Sequence, residues 1–551
     1  MATQAIDPRI PAPASPAALA PRRRDLGRVM LFDNGKLAPD YGPYRAIFDV
    51  VEAALGNGTG VGTEVLHHSD DLLRGSGERL REVARWVRDQ DVAGVVFALG
   101  DWGVSQPTAI VAAELERLGV PASVVTTEIG GRQVLAAAAR MAPGLPVTTL
   151  TALRSASYDE VAAETKELLE DILDGLTAAP ATLRDRFAAR PIAAPAPAAP
   201  TGLLELTTAD PSAEFTAIMR DSLLGDGLPL VAPTTERVAE FLAAAGKEPQ
   251  TPVWPVIPPR DTPVTAREVA AVAVAAGCGP RWAPVVFAAY EAMAAPEFRL
   301  FQAAITTHPG GTFVLVSGPD HEKYGFAAGR GALGPGFEAN ATTGRAVALG
   351  YSFLLGAVPG GADLTAQGSP AEFSYCCAEN LDESPWPGLH AALGHPDATT
   401  VTVLKCEGPH NILDQQSADP ARLLGTFASS MATLGSNAAY VATAETILLL
   451  NPEHARLLAA AGWTRRDVQE FLFDAARNPR EDLRGRGLAP IWPAWFDAAD
   501  RVPVMPDSSS LLVAVAGGAG PASQVAVPWG YSHAVTRAVQ PTVQPAVQPT
   551  V

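Results

Sequence analysis

The chain has 551 residues and a formal net charge of −18, an acidity that excludes partners recognised by their negative charge, namely DNA, RNA and anionic membrane surfaces. Hydrophobic residues make up 47% and charged residues 18%, the balance of a globular chain long enough for two or three domains. The four cysteines, Cys278, Cys376, Cys377 and Cys406, have no C-x-x-C spacing, which argues against a disulfide framework and for a reducing, cytoplasmic setting.

Residues 1–26 are rich in Ala and Pro and carry their arginines after the apolar part, so they read as a flexible arm rather than a secretory signal. No run of about 18 apolar residues follows, so no membrane helix is expected. From 27 to 187, short apolar runs alternate with amphipathic ones: strand "RVMLFDN", helix "YRAIFDVVEAALG", strand "GTEVLHH", helix "SGERLREVARWVRDQ", strand "VAGVVFALG", helix "TAIVAAELERLG", strand "ASVVTTE", helix "GGRQVLAAAARMA" and one long helix around "YDEVAAETKELLEDILDGL". That alternation predicts an α/β domain with a doubly wound, Rossmann-like parallel sheet. Residues 188–202 form a Pro/Ala linker, residues 203–538 a larger α/β or α+β domain, and residues 539–551 a disordered Gln-Pro tail. No internal repeat longer than the Gln-Pro unit is visible.

In open α/β sheets ligands gather where strand carboxyl ends meet helix N-termini. The loop "GDWGVSQP" falls at such a place, with Ser105 or Gln106 as the expected helix cap and Pro107 in the first turn. Asp33, Asn34 and Lys36 follow the first strand of the domain and Asp101 a later one, so they converge at one sheet edge as candidate ligand-binding residues. "LFDNGK" and "GDWGVSQPTAIVAAELERLGVP" resemble the UGSC-motif family of (seleno)proteins, whose loop reads G-D-[U/C]-G-S-C-T. Asp33, Asn34, Lys36, Asp101, Gly103, Glu114, Glu116, Gly119 and Pro121 fit that pattern. Trp102 and Ser105 replace the redox pair, and neither residue can cycle between thiolate and disulfide. The loop is therefore expected to shape a pocket, with Trp102 as an aromatic wall.

The larger domain resembles the region joined to such domains in some bacterial proteins, in segments including "TTHPGGTFVLVSGP", "GALGPGFEANATTGRA", "YCCAENLDESPWPGLH" and "KCEGPHNI". No mechanism comes with that resemblance. Three segments set polar groups beside glycines, as a site needs when backbone approaches a ligand. They supply His308, His410, Glu379 and Cys406 as catalytic candidates, and Asn340, Arg345 and Asn411 as ligand-binding candidates. His308, Glu407 and His410 are candidate ligands for a divalent metal, the one cofactor these residue types suggest.

The expected function is an enzyme of small-molecule metabolism, specialised metabolism included, with carbon–heteroatom lyase or hydrolase chemistry on a small polar or anionic metabolite. The preference for Ala, Pro and Arg over Lys suits a bacterial gene of high GC content. A homo-oligomer is compatible with this reading, whereas nucleic acid and membrane are not expected partners. Two alternatives stay open: a thiol-dependent oxidoreductase working through the C-terminal cysteines, and a non-catalytic binding or scaffold protein.

Overall fold

The computed structural model describes residues 2–11, 16–34, 42–57, 63–72, 77–98, 104–151, 156–187, 198, 202–258, 260–484, 486–487 and 499–540. Lys36, Asp101, Trp102, nearly all of the Pro/Ala linker and most of the Gln-Pro tail lie outside these residues.

The N-terminal domain runs β1 (Thr3–Ile6), β2 (Arg28–Asp33), α1 (Gly42–Asn57), β3 (Glu64–Ser69), α2 (Gly77–Arg88), β4 (Gly94–Ala98), α3 (Ser105–Arg117), β5 (Ala122–Thr127), α4 (Glu128–Met141), β6 (Val147–Leu150), α5 (Tyr158–Glu167), α6 (Leu169–Thr177) and α7 (Pro180–Arg186). Its five-stranded sheet has the order β3-β2-β4-β5-β6 and is parallel throughout. Side chains alternate along β2: Val29 and Leu31 pack with α1, α5 and α6, whereas Met30 and Phe32 pack with α2 and α3. This is the doubly wound sheet that the alternation of apolar runs predicts. Two details differ from the sequence reading. Strand β6 follows Pro146 and has only four residues, too few to show a period. The expected long helix breaks at Leu168 into α5 and α6.

Within the expected free arm, the described residues 2–11 and 16–26 include a paired strand and buried side chains. β1 pairs antiparallel with β7 (Leu203–Leu206), on the far side of the Pro/Ala segment. The Arg22 guanidinium meets the Glu116 carboxylate at 2.6 Å, with both side chains almost fully buried, and Glu116 also accepts from the Ala20 and Ala122 amides. Composition conceals this because a single buried ion pair and a four-residue strand anchor the segment.

The larger domain continues with α8 (Pro211–Asp221), α9 (Thr235–Ala245), the short pair β8 (Pro252–Trp254) and β9 (Val264–Thr265), α10 (Ala266–Ala276), α11 (Ala283–Met293), α12 (Leu300–Ala304), β10 (Gly311–Ser317), α13 (His321–Tyr324), α14 (Glu338–Leu355), β11 (Cys376–Ala378), α15 (Leu389–Ala392) and β12 (Thr400–Cys406). It ends with β13 (His410–Leu413), α16 (Pro420–Met431), β14 (Thr446–Leu450), α17 (Pro452–Ala460), α18 (Arg465–Ala475), β15 (Arg477–Pro479), α19 (Arg480–Leu483), β16 (Arg501–Pro503), β17 (Leu511–Val515), β18 (Ala522–Ala526) and β19 (Val535–Ala538). Two four-stranded mixed sheets, β11-β10-β12-β19 and β13-β18-β14-β17, form its centre. Phe313, Leu315, Leu404 and Cys406 of the first pack against Ile447, Leu449, Leu512 and Ala514 of the second. The outer face of the first carries Val314, Val316, Val401 and Val403 against α10 and α11. The outer face of the second carries Leu448, Leu450 and Val513 against α16, α17 and α18. The result is a four-layer α/β/β/α sandwich.

The sandwich is built twice from one plan. β10 pairs parallel with β11 and antiparallel with β12, as β14 pairs with β17 and β18. The fourth strand of each set crosses to the other sheet: Thr400–Val403 pairs with Ala538–Val535 of β19, and Ala522–Val525 pairs with Leu413–His410 of β13. The expectation of no internal repeat is therefore corrected at the level of topology. The two sets share strand pairing and apolar alternation but not their polar residues, so the sequence hides the correspondence.

Candidate active site

Strand β12 is buried along its whole length, and on its outer face Val401 and Val403 are followed by Lys405, 6% exposed. Counted from the exchanged strands, Lys405 corresponds to Val527 of the second set, which lies in an apolar core. The repeated strand plan thus places an aliphatic side chain at the corresponding position of the other half. The ammonium of Lys405 donates to the Gly310 carbonyl and lies 5.2 Å from the centroid of the Tyr351 ring. Among the described residues no carboxylate stands within ion-pair distance of it. Burial lowers the Lys405 amine below the usual lysine range, and Glu372 and Asp363 pull it back only in part.

Lys405 lines a cavity of about 270 Å³. α14 contributes Tyr351 and Ser352 to its wall, the start of β10 contributes Gly310, Gly311 and Thr312, and the segment from Ala357 to Phe373 contributes Asp363, Thr365 and Glu372. Thr312 Oγ1 and Tyr351 Oη are hydrogen bonded at 2.8 Å. Burial raises the Glu372 carboxyl, partly offset by the Ser369 amide and by Lys405. The glycine pair of "HPGG" serves the backbone: a Cβ on Gly310 would stand 2.6 Å from the Cys406 carbonyl oxygen, and one on Gly311 would stand 2.3 Å from that of Ala371. Only glycine lets three chain segments meet at this floor. The Gln106 amide of α3 donates to the Ala362 carbonyl at 3.2 Å, so the N-terminal domain braces a segment of the cavity wall.

The residues singled out in the sequence fall in several places. His308 and Glu407 come together at 3.1 Å, just before the Gly310 turn. His410 and Asn411 are exposed on β13, and among the described residues no group of three or more His, Cys, Asp or Glu side chains is placed to hold a metal ion. Glu379 lies near the opposite end of β10: its carboxylate accepts from Ser317 Oγ at 2.5 Å and from the Leu389 amide at 2.7 Å. A seven-residue strand spans about 20 Å, so Glu379 cannot orient His308. Ser317 also meets His390 Nδ1 at 2.8 Å. The hydroxyl stands between acid and imidazole, whereas a catalytic triad needs the imidazole between acid and hydroxyl. This cluster ties β10, β11 and α15 together.

Cys406 is fully buried, and burial pushes its thiol up to about 12. Cys377 is pushed to about 12 in the same way and Cys376 well upward. Cys376 and Cys377 pack into cores on opposite faces of their strand. Asn340 spends its side-chain amide on Ala327 and Ala332, where it clamps the glycine-rich loop. Arg345 grips Asp226 through two nitrogens, at 2.6 and 3.0 Å, and also donates to two backbone carbonyls. Asp33 and Asn34 are buried at the carboxyl edge of β2, with Asp33 in register with the end of β4. Ser105 is buried as the first residue of α3, and Val104 takes the capping position expected of Ser105.

The sequence reading passed over Lys405 for its neighbour Cys406. A charged residue in phase with Val401 and Val403 on an otherwise apolar strand was the available signal. No curated protein matches the chain. The UGSC family model matches residues 4–178, so the N-terminal domain, about a third of the chain, is similar to that family.

Proposed function

We propose that the chain is an enzyme of small-molecule metabolism, that the Lys405 cavity is its active site, and that its reaction breaks a carbon–heteroatom bond. The observation that carries this reading is a buried lysine, without a carboxylate partner among the described residues, lining a cavity at a position the duplicated half fills with valine. A buried cation left unpaired is costly unless a site uses it, and perturbed groups of this kind concentrate where chemistry is done. Lys405 supplies an amine that burial shifts toward its neutral form, Glu372 a carboxyl that burial shifts toward its protonated form, and the Thr312–Tyr351 hydroxyls a means of orienting a polar substrate. Asp363 adds a carboxylate to the cavity wall, which favours a neutral, hydroxylated substrate over an anionic one. The burial of Cys376, Cys377 and Cys406 removes support from the thiol-dependent reading.

The test is product analysis by mass spectrometry over a panel of small hydroxy-, amino- and thio-substituted carbonyl compounds. Wild-type protein is expected to convert at least one of them, and Lys405→Met to lower turnover by at least about 100-fold with the fold retained. Undiminished turnover in Lys405→Met would remove the cavity from the reaction.

A further inference from the structure

We infer that Lys405 is a covalent amine nucleophile, forming an imine with the carbonyl carbon of a small hydroxylated aldehyde or ketone held in the cavity. The inference rests on the active-site reading above and adds the bond that forms and the substrate class that forms it. An ammonium in this position has one hydrogen-bond acceptor, the Gly310 carbonyl, and an aromatic face, but no counter-ion among the described residues. Such surroundings favour the neutral amine, whose lone pair can attack. The exposed lysines provide the contrast. The chain has five lysines in all, counting Lys405. Lys166 and Lys323 are exposed, and Lys247 is paired with Glu291 at 2.5 Å.

The step balances within the cavity. The amine lone pair forms a C–N bond at the carbonyl carbon, and the carbonyl π pair moves to oxygen, which takes a proton from the Glu372 carboxyl. The nitrogen then gives up a proton to the Glu372 carboxylate. The carbinolamine oxygen is protonated in turn and leaves as water, while the remaining nitrogen lone pair closes the C=N bond. A volume of about 270 Å³ suits a compound of a few carbons, and Asp363, Thr365 and Ser352 can meet its hydroxyl groups. The imine draws electrons from the neighbouring C–H bond, the activation that carbon–heteroatom elimination requires.

The experiment uses the full chain, glyceraldehyde and dihydroxyacetone as neutral probes, pyruvate as an anionic one, and sodium cyanoborohydride to reduce any imine. Intact mass and peptide mapping then locate the adduct. The expected result is a single reduced adduct on Lys405, formed at least about 10-fold faster than on Lys166 or Lys323, faster with the neutral probes than with pyruvate, and absent from Lys405→Met. Labelling confined to the exposed lysines overturns the inference, and because the mapping is done on wild-type protein it does not depend on the variant folding. If Lys405 stays unlabelled while Lys405→Met still abolishes turnover, imine formation is overturned and the cavity remains the active site. If Lys405→Met turns over normally, both fall.

Discussion

Single residues divide here between those that hold the fold and those that the fold leaves available. Glu116 belongs to the first group: with Arg22 it forms a buried pair whose oxygens also take two backbone amides, so removing one partner strands the other charge. Arg22→Met should cost about 3–5 kcal/mol in urea unfolding, and a change below about 1 kcal/mol would mean that the N-terminal segment is not anchored by this pair. Ser317→Ala should cost about 1–3 kcal/mol by leaving Glu379 and His390 without their shared hydroxyl. Turnover should survive this change, because the cluster lies a strand's length from the cavity; loss of activity without loss of stability would place Ser317 in the chemistry. Lys405→Met belongs to the second group and should leave unfolding free energy within about 1.5 kcal/mol of wild type, since an apolar side chain fits this position in the duplicate. The sequence could suggest residue types for chemistry but not their neighbours. Asn340 lies in the first turn of a helix after a glycine-rich loop, as an anion site would, and Arg345 two turns in, yet their donors are spent on Ala327, Ala332 and Asp226.

At the scale of elements, legibility followed periodicity. β2, β4 and β5 read clearly because a strand buried on both faces is a near-continuous apolar run and its flanking helices keep a 3.6-residue period. β1, β6 and β13 have four residues each, too few for a pattern, and the places of β1 and β13 are set by partners far along the chain. The turn after β13 shows how such a short strand is fixed. Burial would raise the Asp414 carboxyl, but hydrogen bonds from Ser417, Thr426 and Gln416 outweigh it and hold the group at about 2, while the Asp414 carbonyl meets His454 Nε2 at 2.9 Å. The folded value lies below the ordinary 3.8, so this contribution is present above about pH 4 and is lost as pH falls toward 2. Solvent screening limits it to about 1 kcal/mol. Asp414→Ala should remove that part of the acid limb in unfolding curves measured from pH 5 to pH 2, and an unchanged limb would show that the turn does not hold β13.

For the whole molecule, the exchange of β13 and β19 makes each sheet of the sandwich incomplete without a strand from the other half, so neither half can bury its core alone. The same dependence reaches the N-terminal domain. One continuous core runs from Leu80, Val83 and Val87 of α2 to Trp254, Val269 and Val285 of the larger domain, and β1 pairs with β7 across the Pro/Ala segment. Arg81 and Asp261 meet at 3.3 Å on the surface above that core, and a Cβ on Gly77 would stand 2.5 Å from the Pro258 ring, which marks close packing between the two parts. Composition suggested a linker between separable domains because Pro and Ala carry no period; the apolar surfaces on either side determine otherwise. The chain should therefore unfold in one cooperative transition, with tryptophan fluorescence and far-ultraviolet circular dichroism giving coincident curves. A cleavage site engineered between Arg186 and Gly202 should, once cut, leave the two fragments together on size-exclusion chromatography and the Lys405 cavity intact. Two resolved transitions, or fragments that separate without denaturant, would show that the shared core is too weak to couple the domains, and the bracing of the cavity wall by Gln106 would then no longer be dependable.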